Sequence, residues 1–100
     1  MNDLKQQGID VELDAAVAEG HYSNLAIISH SPTEFVVDFA AMLPGYPKAK
    51  VKSRIILTPE HAKRLLLSLQ DNISRYETNI GRIELQQPQP AVGFKNHGEA

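Results

Sequence analysis

The side chains best suited to chemistry are scattered along this chain. His21, His30, His61 and His97 are its histidines, and no two of them stand four residues apart. His61 lies in Glu60-His61-Ala62-Lys63-Arg64-Leu65, which lacks the second histidine of a zinc-binding helix. There is no cysteine, which excludes a disulfide, a thiolate metal site and a cysteine nucleophile. Ser23, Ser29, Ser31 and Ser53 offer hydroxyls, but none sits in a Gly-x-Ser-x-Gly elbow. No Gly-rich phosphate loop is present, and no carboxylate pair is set apart for acid–base work. The expectation is a chain that is not an enzyme, with no catalytic residue, no metal and no cofactor.

One stretch is chemically marked by charge. Lys48, Lys50, Lys52 and Arg54 alternate with Ala49, Val51, Ser53 and Ile55. On a strand, alternate residues share a face and lie about 6.8 Å apart, close to the phosphate spacing of an extended nucleic acid. Lys63 and Arg64 extend this basic set, and Glu60 is the one acid between Lys48 and Arg64. Glu34 and Asp38, on the neighbouring strand and the same face, neutralise part of it. Aromatic stacking partners are few: three tyrosines and three phenylalanines. A second set is acidic. Asp10, Glu12 and Asp14 alternate with Ile9, Val11 and Leu13. Residues 1–47 hold seven acids and one base, and residues 48–100 hold nine bases and five acids, although the net charge is only −2.

Four strands and one helix must position these groups. The alternation from Ile9 to Asp14 reads as a strand that Ala15–Val17 extend. Further strands are expected over Tyr22–His30, Glu34–Met42 and Lys48–Leu57. Pro44-Gly45 between the last two suits a type II turn. Thr58, Pro59 and Glu60 form a helix start: a cap, a first-turn proline and an acid at the positive end of the dipole. Ala62, Leu65, Leu66, Leu69, Ile73, Tyr76 and Ile80 then make one apolar stripe, with Gly81 as the stop. The fold class is therefore α+β, an antiparallel four-stranded meander followed by one long C-terminal helix. One domain spans 8–85, between a flexible start at 1–7 and a flexible Pro/Gln-containing tail at 86–100. Phe94 is the one large apolar residue of that tail.

Four strands make a sheet close to 20 Å wide, and a helix about 10 Å across covers only part of it. The remaining apolar surface calls for a second protomer, so a homo-oligomer, dimer or larger, is expected. In a plain meander the acidic first strand and the basic fourth strand are the two edges. They either meet, within or between chains, or protect the edges from aggregation. No apolar run approaches a membrane span, and Met1–Gln7 has no signal-peptide core, which reads as cytoplasmic.

Three segments also carry a resemblance: Tyr22-Ser23-Asn24-Leu25-Ala26, Glu34-Phe35-Val36-Val37-Asp38-Phe39, and Lys50 to Lys63 with its Arg-Ile-x-Leu-Thr-Pro-x-x-Ala-Lys run. Over about residues 9–83 the chain resembles a group of small bacterial and archaeal domains, domain-of-unknown-function family 3467. That resemblance implies a domain boundary and brings no activity, ligand or catalytic residue. A sheet with a long covering helix is also loosely similar to the SecB-type chaperone architecture, a likeness of fold alone. The resulting expectation is a small binding or assembly module with a protein partner. The alternative is a nucleic-acid-binding accessory protein that uses Lys48–Arg54.

Overall fold

The computed structural model describes residues 4–6 and 8–86. The elements run β1 (Leu4–Gln6), β2 (Ile9–Val11), α1 (Ala15–Ala18), β3 (Leu25–His30), β4 (Phe35–Ala41), β5 (Lys50–Leu57) and α2 (Pro59–Asn79). The class is α+β. The main sheet is antiparallel in the order β3-β4-β5, and β1-β2 form a separate hairpin.

The first expected strand is thus divided. Only Ile9–Val11 is extended, and its partner is the adjacent β1, not the sheet. Gly8 takes the turn between them at φ 81°. A pairing that closes over two residues costs far less chain entropy than one that spans the following loop. Downstream, the Asp14 carboxylate accepts from Ala16 N at 3.2 Å and caps α1. Ala15–Val17 therefore begin a short helix instead of extending the strand, as the helix preference of alanine favours. Three sheet strands, not four, follow.

The rest of the meander keeps its predicted order with shorter strands. Asn24 lies just before β3 and imitates a strand residue with its amide. Its Oδ1 accepts from Met42 N at 2.8 Å, and its Nδ2 donates to Met42 O at 3.0 Å. Pro44 and Gly45 occupy the centre of the next turn, with Gly45 at φ 86° and Tyr46 N donating to Leu43 O at 3.1 Å. That is the type II geometry its residues favour.

The helix begins as its sequence dictates. Thr58 Oγ1 accepts from His61 N at 3.1 Å, Pro59 opens the first turn and Glu60 lies within it. Such a cap contributes about 1 kcal/mol. The helix runs 21 residues, roughly 31 Å. Among the described residues, no helix is long and apolar enough to cross a membrane.

The helix does not back the sheet, which corrects the expected packing. Its main contact with the sheet is through β5, the strand it follows. One residue, Thr58, separates the two elements, and its extended backbone (ψ 156°) leaves no loop to fold α2 back. No residue of α2 is buried. Among the described residues the buried apolar side chains are Leu25, Val37, Ala40, Ala41 and Leu57, all in the sheet and two of them alanines. The tail read from Gln86 onward lies, after Gln86 itself, outside the described residues, as do Phe94 and His97.

Candidate interaction surface

The strongest polar feature is a clamp between β4 and β5. Asp38 and Arg54 are cross-strand partners and share one face. Arg54 Nε donates to Asp38 Oδ1 at 2.7 Å and Nη2 to Oδ2 at 2.8 Å, a bidentate pair. Asp38 is 3% exposed, while the Arg54 side chain is 61% exposed. The arginine acts as a lid, wet on its outer side. Its hydrogen bonds hold the Asp38 carboxyl below the ordinary carboxylate range, against the opposite push of burial, and Asp38 in turn raises Arg54. The fourth cation of the basic strand is therefore committed within the chain. Asp38 was expected to neutralise part of the patch, and it does so at Arg54.

The rest of the basic stripe is split. Ser53 faces Phe39 and Val51 faces Ala40, so Lys52 is an extra residue at a bulge. An added residue reverses the alternation on one side of it. Lys50 pairs with Ala41 and Arg54 with Asp38, and positions 41 and 38 lie on opposite faces of β4. Lys48 precedes β5 altogether. The single cationic face read from the sequence is thus corrected to cations on both sides of an edge strand. Lys48, Lys50, Lys52 and Lys63 are exposed and hold no ion pair among the described residues. Arg64, which extended the set in the sequence, pairs with Glu60 one helical turn away at 2.7 Å.

The acidic set does not form one strand face either. Asp10 lies in β2, Glu12 follows it, and Asp14 caps α1. β2 is not hydrogen-bonded to the sheet that holds β5, so the acidic and basic strands do not pair within the chain. Among the described residues, no three His, Asp or Glu side chains gather where they could hold a metal ion.

The surface the sequence underrated is apolar. Leu66, Leu69, Ile73 and Tyr76 of α2, and Ile80 at its C-cap, are 56%, 53%, 40%, 47% and 71% exposed. Past the helix, the chain turns back, and Glu77 Oε2 accepts from Ile83 N at 3.0 Å. This brings Ile83 beside Ile73, Tyr76 and Ile80, around an open groove of about 480 Å³. On the sheet, Ile28, Val51, Ile55 and Ile56 are also exposed. The signal was present as the stripe. What was missing was that the chain's own sheet does not receive it.

Comparison with known proteins gives a family. The model described as "Protein of unknown function (DUF3467)" matches residues 1–85, and the chain belongs to that family. No curated protein and no solved structure matches it.

Proposed function

We propose that this member of the family acts as a self-assembling binding module, not as an enzyme. The protomers, at least two, complete one another's core through α2, and the assembled sheets present a surface to a protein partner. The observation that carries this reading is the apolar stripe of a 21-residue helix with no buried residue. A monomeric soluble protein rarely leaves so continuous an apolar strip in water. Full burial of each large side chain is worth about 1.5–3 kcal/mol, so covering the exposed half of several gives a substantial drive to associate. A cysteine-free chain suits a cytoplasmic setting.

Sedimentation over a dilution series tests the reading. The expected mass is at least twice 11.1 kDa, with thermal stability that rises with concentration. A monomer whose melting temperature is independent of concentration would falsify it.

The nucleic-acid reading keeps one supporting observation, the exposed and unpaired Lys48, Lys50 and Lys52 among the described residues. The bulge weighs against it, because a phosphate chain tracks one face.

A further inference from the structure

The orientation of the paired helices, which rests on the self-assembly reading, depends on the residues that flank the stripe. Ala62, Leu66, Leu69, Ile73, Tyr76 and Ile80 alternate spacings of four and three residues. That is the seam of a two-helix coiled coil, where each apolar residue fits between those of a facing helix. It is short, so the sheets at its ends must assist it.

Positions beside a seam set the orientation of the helices. One flank of α2 carries Lys63, Gln70 and Glu77, and the other carries Leu65, Asn72 and Asn79. Glu60 with Arg64 and Asp71 with Arg75 are already satisfied within the helix, at 2.7 and 2.8 Å. Lys63 has no ion pair among the described residues, and Glu77 uses one oxygen to accept from Ile83 N. A parallel pair sets the two different flanks together, so Glu77 meets an asparagine and Lys63 no acid. An antiparallel pair sets like flanks together, so Lys63 meets Glu77 and Gln70 meets Gln70.

Size gives the same answer. The C-terminal end of the stripe is bulky, with Ile80 and Ile83 lining the groove, and the N-terminal end is Ala62. Antiparallel packing sets Ala62 against Ile80, Leu66 against Tyr76 and Leu69 against Ile73. Parallel packing sets alanine on alanine and leaves a gap.

We propose that α2 docks antiparallel on α2 of a second copy, centred between Leu69 and Ile73, with Lys63 of each copy opposite Glu77 of the other. The interface is isologous and closes as a dimer.

Because the chain lacks cysteine, single cysteines report the geometry directly. Under mild oxidation Gln70→Cys is expected to form a covalent dimer. Leu66→Cys alone is expected to stay uncrosslinked, but to crosslink when mixed with Tyr76→Cys. Ser74→Cys, on the outer face, is the control. Lys63→Glu is expected to weaken the dimer by about tenfold, since two attractive pairs become repulsive. Lys63→Glu combined with Glu77→Lys is expected to restore it. A dimer by sedimentation in which Leu66→Cys crosslinks to itself, or Gln70→Cys fails to crosslink, overturns the antiparallel seam and leaves self-assembly standing. A wild-type chain that sediments as a monomer overturns the underlying reading as well.

Discussion

The β4–β5 half of the sheet and the helix that follows it solve different parts of the same problem. In the sheet, polar groups find partners across strands: Arg54 closes over Asp38, and Asn24 completes the ladder at Met42. Its apolar burial is small and rests on residues such as Ala40 and Ala41. In the helix, polar groups are satisfied locally, by the Thr58 cap and by charge pairs one turn apart. Leu66, Leu69, Ile73 and Tyr76 of its apolar stripe stay 40–56% exposed. Polar groups find partners in both regions, while apolar burial is deferred in one of them. The division suggests that the sheet is shaped by the chain itself and the helix by what it meets.

The largest expected effect tests that division on the helix. Leu69→Asp sets a charge in the middle of the stripe, where burial without a partner is costly. We expect loss of self-association and a fall in melting temperature of more than 10 °C, read by sedimentation and by circular dichroism. Leu67→Asp lies off the stripe at similar exposure, 57% against 53%, and is expected to leave both unchanged. If the two variants behaved alike, the stripe would have no special role.

A smaller effect is expected in the sheet. Asp38→Ala removes the clamp, but Arg54 is already wet and simply returns to solvent. The expected cost is about 1–2 kcal/mol, or roughly 5–10 °C in melting temperature. Self-association should persist. The pH dependence has a definite sign. The folded state holds Asp38 below its usual value, so the clamp stabilises above the unfolded carboxylate pKa, about 3.9. That contribution fades as pH falls through the lower, folded value. Wild type and Asp38→Ala should therefore differ at neutral pH and converge in acid. Parallel curves would show that the clamp contributes through packing instead.

Local signals were legible in the sequence and long-range ones were not. Thr58-Pro59-Glu60 and Pro44-Gly45 act within a turn or two, so their residues suffice to predict them. The strand order after Tyr22 also held, because short connections leave few alternatives. The bulge at Lys52 was hidden, since strict alternation of lysines predicts one face unless the partner strand's register is known. The fate of Ile9–Asp14 was hidden for a related reason: its alternation marks a strand but names no partner. The helix stripe was read correctly as apolar. Its destination is a matter of tertiary geometry, set by the single residue between β5 and α2.

The smallest effect separates exposed charge from the two structured regions. Lys50 and Lys52 are exposed, and neither holds an ion pair among the described residues. Reversing both, as Lys50→Glu with Lys52→Glu, is expected to change stability by no more than about 0.5 kcal/mol. Binding of short single- and double-stranded DNA and RNA, followed by fluorescence anisotropy at low salt, is expected to be weak in the wild type and little altered in the variant. Low salt is the demanding condition, because electrostatic binding to phosphate is strongest there. Tight wild-type binding that the variant lost would move the edge strand from bystander to binding site. The helix seam would then serve to set two such edges at a fixed separation along one nucleic acid. Binding that the variant kept would point away from β5, toward Lys63 on the flank of α2, where reversal of that one residue should weaken nucleic-acid binding and self-association together.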